Sequence, residues 1–370
     1  MSAYVLVLFE SNFIAPLIAG WFNDAYGWRW TMHLGAMIAA VSFVILFFGA
    51  EETMYFRHVI EGVEPASRDS DETDGVKSKT PDEIDTKGID ATDIDVKLSH
   101  STGELHSSRS PPRPYAEKLK PFVLLSGRPS PRQMFGMMIR PLIIILRFPC
   151  IAWAGFIYGI NLSWYQVLNG TASPVLSAPP YNWPAAFVGC IYVGPMVGAV
   201  FGCIWSGAIA DKLAIYLARR NRGIREPEQR LWPLAVAGVF SGAGLITWGV
   251  GAYHGIHWIG LAFGLGMLVF GLTVGGSIAI AYAVDCFPQI GGESMASVMV
   301  IRNTIGFGLS FAITPWYTGM GLQNCFITAG FVSIACMATF LLFLWKGKTL
   351  RRWSADAYWG YAATSIVGAH

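Results

Sequence analysis

The sequence predicts an all-α integral membrane protein with eight transmembrane helices, two before a long charged segment and six after it. Only 14% of the 370 residues are charged and 53% are hydrophobic, whereas soluble domains carry roughly 25% charged residues. The charges are also segregated, because four stretches contain no Asp, Glu, Lys or Arg: residues 31–50, 148–210, 231–284 and 303–345. This composition excludes an ordinary soluble domain, and a net charge of +2 argues against a nucleic-acid partner.

Most of the uncharged stretches are longer than one membrane crossing, which takes about 20 residues, so the chain must fold back within them. Turn-forming residues near positions 169–180, 251–255 and 318–324 mark where it does so. Continuous apolar runs favour helices over the alternating strands of a membrane barrel. We therefore expect eight spans, at about 3–23, 31–50, 148–168, 185–208, 232–251, 258–283, 295–317 and 324–345.

The distribution of Lys and Arg predicts the orientation. Of the 26 basic residues, 14 lie between the second and third spans, six between the fourth and fifth, and four after the eighth, whereas Arg29 lies in the opposite set of loops. Because cytoplasmic loops carry an excess of Lys and Arg, both termini are expected in the cytoplasm. The plasma membrane is the expected location. Asn169 begins an Asn-Gly-Thr sequon in a predicted outer loop and is a glycosylation candidate.

Composition divides the chain into four segments. The segment between the two groups of spans is rich in Asp, Ser, Lys, Thr and Pro, which cannot build a core, so it is expected to be a disordered cytoplasmic linker with a basic amphipathic end. The predicted segments are two helices in 1–55, the linker in 56–145, a six-helix bundle in 146–346 and a cytoplasmic tail in 347–370. We expect the bundle to be compact and residues 1–52 to dock loosely.

Small residues indicate where helices pack closely. The fourth span carries Gly194, Gly198 and Gly202 at four-residue spacing, and the first span carries Pro16 and Gly20. Lipid supplies no hydrophobic drive between helices, so small-residue faces favour close approach of two backbones. These faces serve static packing, helix movement, or both. The six cysteines fall in or beside spans and are expected to pack there without disulfides or metal.

Three ionisable residues lie within or at the edge of apolar spans, where a charge is costly and marks a functional candidate. Glu10 lies in the first span, where it could bind a cationic substrate, carry a proton, or only contact a neighbouring helix. Asp285 and Arg302 flank a short loop on the predicted cytoplasmic side. We expect these two to form an ion pair that acts as a structural gate, in preference to binding substrate.

The segment that follows the fourth span is Gly207-Ala-Ile-Ala-Asp211-Lys212, with Arg219-Arg220 after it. It resembles the signature A motif of the major facilitator superfamily, although an ordinary charged turn is an alternative. In that family the Asp engages a neighbouring helix N-terminus and a basic residue, and so holds the cytoplasmic gate. The resemblance thus implies a conformational role for Asp211, Lys212, Arg219 and Arg220.

Other segments extend the resemblance. The sequence from Asn12 to Gly20 is similar to the Gly-Pro motif in the fifth span of drug:proton antiporters, with Ala15 in place of Gly, and Gly27-Trp-Arg-Trp30 is similar to the start of their sixth span. Tyr282-Ala-Val-Asp and Arg302-Asn resemble the tenth and eleventh spans of fungal members. The chain thus resembles spans five to twelve of a fungal twelve-span antiporter or histidinol/polyamine permease, without counterparts of spans one to four.

This resemblance implies proton-coupled transport of a drug-like or organic-cation-like molecule by alternating access, with the lipid bilayer, the substrate and protons as partners. The third span corresponds to the family's seventh, which lines a central cavity, so Tyr158 and Asn161 become substrate candidates. A truncated fragment that does not transport is the main alternative. An integral-membrane enzyme is less favoured because no catalytic motif is present. No cofactor and no metal site are predicted.

Overall fold

A computed structural model describes residues 2–49, 131–224 and 226–367, and every regular element in these ranges is helical. Residues 56–130 of the predicted linker lie outside the described ranges. The α-helices are α1 Ser2–Tyr26, α2 Trp28–Gly49, α3 Pro131–Arg147, α4 Pro149–Ser177, α5 Ala185–Cys190, α6 Val193–Ile204, α7 Ala210–Arg220, α8 Leu234–His254, α9 Trp258–Cys286, α10 Gly291–Met320, α11 Leu322–Ala338, α12 Phe340–Trp353 and α13 Ala355–Val367. A π-helical turn, Trp205–Ile209, joins α6 to α7.

Within the described residues, six helical segments are long and apolar enough to cross a membrane. The number is seven if Met138–Arg147 and Pro149–Ser177, which meet at an angle of 100°, form one span. The prediction of an all-helical, multi-pass membrane protein is therefore confirmed. The count of eight spans stays a prediction.

Helix α9 lies at the centre of the packing and contacts α4, α6, α8 and α10. It has no charged residue before Asp285, and a helix that is apolar on every side is stable when it is buried on every side. Its fully buried leucines are Leu261, Leu265, Leu268 and Leu272. Helix α11 packs on the other side of α8, so α4, α6, α8, α9, α10 and α11 form the body of the bundle.

The described residues divide between two units: residues 2–39 and those from 131 onward belong to the first, and residues 40–49 belong to the second. In the first unit, α1 lies against α5 and α6. The ring of Phe13 is 1% exposed and meets Tyr165 edge-on at 5.6 Å, and a Cβ on Gly20 would lie 2.7 Å from the carbonyl oxygen of Ala185. The expectation of loose docking is therefore wrong for α1, because its small residues allow backbone contact. Helix α2, by contrast, has no buried residue.

Helix α4 is longer than predicted. It continues to Ser177, so Asn169 lies within a helix and the prediction of an outer loop at this position is wrong. Hydroxyl groups in this part of α4 donate back to carbonyl oxygens of the preceding turn, as Thr171 does to Leu168 at 2.9 Å and Ser177 to Ser173 at 2.7 Å. Such residues are compatible with helix, which is why turn-forming composition misled the prediction.

The segment resembling the A motif is helical as well. A charged turn was expected after Gly207, whereas α6, the π-helical turn and α7 continue without a gap to Arg220. The physical reason lies in Ala210, Ala214 and Ala218, which recur at four-residue spacing and are all buried. This apolar stripe keeps the helix against the bundle beyond the apolar part of the span.

Candidate functional site

Charged side chains lie close together at the end of the bundle where α9 ends and α10 begins. We call this end the basic end, and its central residues are Asp211, Glu228, Arg230, Asp285 and Arg351. Arg230, in the 3₁₀ turn Pro227–Leu231, lies 2.5 Å from a carboxylate oxygen of Asp211 and 2.8 Å from one of Asp285. It therefore connects α7 to α9. Asp211 is 51% exposed at its side chain, so water screens the pair, and the contacts orient the two helices more than they stabilise the fold.

This arrangement corrects the expected gate pair, because Asp285 pairs with Arg230 and not with Arg302. Asp285 lies at the end of α9, whereas Arg302 lies about three turns into α10, so the two are separated along the bundle axis. Lys212, Arg219 and Arg220 are exposed on α7. Sequence reasoning missed the role of Arg230, although a basic residue just before a span was an available signal.

A second pair at the basic end is more deeply buried. Glu228 is 4% exposed and accepts two hydrogen bonds from the guanidinium of Arg351 on α12, both of 2.9 Å. Gly347 lies beside this pair, where a Cβ would be 2.9 Å from a carboxylate oxygen of Glu228. The pair ties the start of α8 to α12, and neither residue was singled out from the sequence.

Two further pairs are closer to solvent. Lys348 lies 2.6 Å from a carboxylate oxygen of Glu226, and the hydrogen bond that it donates lowers the pKa of Glu226 from its ordinary value. On the other side of the basic end, Arg140 of α3 lies 3.3 Å from Glu293 in the first turn of α10. The first pair joins the segment before α8 to α12, and the second joins α3 to α10.

A polar cluster lies deeper between α4 and α10. Arg302 donates a hydrogen bond of 3.1 Å to the hydroxyl of Tyr158, and its guanidinium carbon lies 5.1 Å from the centre of the tyrosine ring. It also donates to the side-chain oxygen of Asn303 at 3.1 and 3.2 Å. These contacts use three of its five N–H donors. In the described part of the chain, Arg302 has no ion pair with a carboxylate.

Asn161 and Glu10 each have a buried oxygen atom that lacks a hydrogen-bond partner among the described residues. The amide nitrogen of Asn161 donates to the carbonyl oxygen of Ile157 at 2.8 Å and contacts the sulfur of Met337 at 3.0 Å. Buried polar atoms are normally satisfied, so each oxygen is free to accept from a ligand or a proton. Tyr158, Asn161 and Glu10 do not line the apolar cavity of about 590 Å³ beside α6, α8 and α9.

The glycines of α6 meet α9 at close range. A Cβ on Gly198 would collide with the carbonyl oxygen of Gly266, one on Gly194 would collide with that of Ala262, and one on Gly202 would lie 2.8 Å from the Cβ of Thr273. The contact on α1 is similar, since a Cβ on Gly189 of α5 would lie 3.0 Å from the carbonyl oxygen of Pro16. Glycine at these positions lets the backbones approach each other.

Asn169 also makes a contact that bears on its proposed glycosylation. Its side-chain oxygen accepts a hydrogen bond from the hydroxyl of Tyr192, and Thr171 is 4% exposed. A helical sequon with a buried threonine argues against modification, and glycosylation of Asn169 stays a prediction.

Comparison with known proteins gives one family. Residues 1–315 match the model described as Major Facilitator Superfamily. The chain is 28% identical to an MFS-type transporter of Schizosaccharomyces pombe over 97% of this chain and 64% of that protein. It is 26% identical to Protein HOL1 of Saccharomyces cerevisiae over 97% of this chain and 66% of that protein, and 26% identical to the MFS transporter cpaT of Aspergillus oryzae over 90% and 58%. No solved structure matches the chain.

The chain thus spans about two thirds of the length of the first two relatives. These alignments do not assign spans, so the correspondence with spans five to twelve stays a prediction.

Proposed function

The chain belongs to the major facilitator superfamily, and on this basis we propose that it acts in moving a small organic molecule across a membrane by alternating access. The observation that carries the proposal is Arg302, a charged residue in an apolar helix whose described partners are Tyr158 and Asn303. Burying a charge in a membrane span is costly, and residues that do so mark a substrate or ion pathway. The names of the relatives support the same activity.

We propose that the substrate is a drug-like or organic-cation-like molecule and that its movement is coupled to protons. The unpartnered oxygen of Glu10 supports this, because a carboxylate in an apolar span can bind a cation or exchange a proton. We propose a positioning role for Tyr158 beside its predicted role as a substrate candidate. Its ring lies against the guanidinium of Arg302 and its hydroxyl accepts a hydrogen bond from it, so Tyr158 positions Arg302.

Transport by the full 370-residue chain tests the proposal. In proteoliposomes with an imposed proton gradient, we expect accumulation of a radiolabelled organic cation, and we expect Glu10→Gln to abolish the response to the gradient. A chain that inserts correctly but moves none of a broad cation panel above protein-free vesicles would overturn the proposed activity.

We predict that Tyr158→Phe slows transport about tenfold, because it removes the hydroxyl that accepts from Arg302, and a hydrogen bond to a charged group is worth about 1.5–3 kcal/mol. The ring and its contact with the guanidinium are kept. The matched control is Tyr181→Phe, which removes a hydroxyl bonded to the carbonyl oxygen of Ile256 in a connecting segment. Equal slowing in both variants would show that Tyr158 is not specifically involved.

We also propose that the basic end faces the cytoplasm, because most Lys and Arg residues of the short loops lie there. Asp211, Arg230 and Asp285 would then hold the cytoplasmic ends of α7 and α9 in register. In a cysteine-free background, a membrane-impermeant maleimide added outside should label Tyr253→Cys and not Arg219→Cys. The reverse pattern would show that the orientation is inverted.

A further inference from the structure

A pocket of about 480 Å³ opens at the basic end, beside the connection between α7 and α8. Lys348, Arg351 and Arg352 from α12 line it, together with Glu226, and Phe287 and Tyr358 form an apolar wall. All these residues belong to the first compact unit. The pocket is separate from the Arg302 cluster and from the apolar cavity beside α6.

The charges around the pocket are unbalanced. Glu226 offsets Lys348, and Glu228 offsets Arg351 from behind the pocket wall. Arg352 is exposed and has no ion pair within the described residues. One guanidinium is therefore left to bind an anion, and Lys348 has further N–H donors beside it. Arginine suits phosphate in particular, since its planar fork can donate two parallel hydrogen bonds.

The sequence around the pocket is typical of a membrane–water interface. Helix α12 begins with an apolar stretch, Phe340–Trp345, and continues with four basic residues before Trp353. Trp345, Trp353 and Trp359 are exposed on α12 and α13, the two helices that supply Lys348, Arg351, Arg352 and Tyr358 to the pocket. Exposed indoles are typical of membrane–water interfaces, where an apolar ring lies next to polar headgroups.

We propose that this pocket binds the phosphate headgroup of an anionic phospholipid. Arg352 and Lys348 donate hydrogen bonds to the phosphate oxygens, and the half-buried ring of Tyr358, which packs on Phe287, contacts the glycerol and the start of the acyl chains. Basic pockets between membrane helices are recognised binding places for such headgroups. The site does not depend on the transport activity proposed above, because it shares no residue with Glu10, Tyr158 or Arg302.

Native mass spectrometry of the detergent-solubilised full chain tests the proposal by counting bound lipids at matched mole fractions of phosphatidic acid and phosphatidylcholine. We expect preferential retention of phosphatidic acid. Arg352→Gln should weaken that retention about fivefold, because each basic residue near an anionic headgroup contributes about 1 kcal/mol. Arg352 is exposed, so the variant should fold normally, which its thermal unfolding temperature checks.

The matched control is Lys346→Gln, which removes one charge from the same helix outside the pocket and leaves the pocket unchanged. Retention of phosphatidic acid by this variant should equal that of the unmodified chain. Equal retention of the two lipids, or equal weakening by both substitutions, would overturn the proposal. Complete displacement of phosphatidic acid by millimolar inorganic phosphate would show that the pocket takes soluble phosphate and would reject the lipid assignment.

Discussion

Replacing Glu228 by Gln is expected to lower the free energy of unfolding by about 3 kcal/mol. Glu228 is nearly inaccessible and accepts two hydrogen bonds from Arg351, whose side chain is 27% exposed. Gln has almost the same volume, but its amide group carries no charge and presents N–H donors to a guanidinium that is also a donor. Arg351 is then left half-buried without its carboxylate, and the connection between α8 and α12 weakens.

Thermal unfolding of the detergent-solubilised chain, followed by tryptophan fluorescence, measures this loss. The matched control is Glu226→Gln, which breaks the more exposed pair with Lys348 and should cost less than about 1 kcal/mol. Equal losses in the two variants at neutral pH would show that burial does not set the strength of these pairs.

The control also has a defined pH dependence. Lys348 lowers the pKa of Glu226 in the folded state. The ion pair between the two therefore stabilises the fold fully above the ordinary carboxyl pKa, and this stabilisation is lost as pH falls through the lowered pKa of Glu226. At more acidic pH, Glu226→Gln should therefore be as stable as the unmodified chain. A stability difference that persists there would contradict the ion-pair origin of the effect.

The sequence predicted the helical class because the charges are confined to the ends of long apolar runs, and a membrane leaves few other folds for such runs. It also placed two turns correctly. Helix α8 ends before Gly255 and α10 ends before Gly321, and both glycines have positive φ, 61° and 74°. At these positions the backbone itself requires glycine, so composition and geometry agree.

The predictions that were wrong depended on tertiary contacts. Residues 169–177 and 207–212 look like turns by composition, but neighbouring helices and back-bonded hydroxyls keep them helical. The ion pairs could not be predicted, because Arg230 and Asp285 are 55 residues apart and Glu228 and Arg351 are 123 apart. A sequence shows that these residues are charged, and only the packing of α7, α9 and α12 decides which of them meet.

The contact between α6 and α9 is expected to be equally sensitive to a change that adds no charge. Replacing Gly198 by Val should destabilise the chain by about 3 kcal/mol, because its Cβ would collide with the carbonyl oxygen of Gly266. The obstacle is backbone and cannot rotate away as a side chain can. Relief requires α6 to move from α9, which would also open the neighbouring contact between Gly194 and Ala262. Thermal unfolding and the yield of monodisperse protein measure the loss.

The matched control for this substitution is Gly308→Val, in the middle of α10. Gly308 is also helical, but a Cβ there meets no atom within 4 Å, so the added side chain has room. Because glycine is a poor helix former, this control should be neutral or slightly stabilising. If Gly198→Val unfolds at the same temperature as Gly308→Val, the two helices do not make backbone contact at Gly266. A large loss at Gly198 alone shows that glycine is retained there for the close approach of α6 to α9.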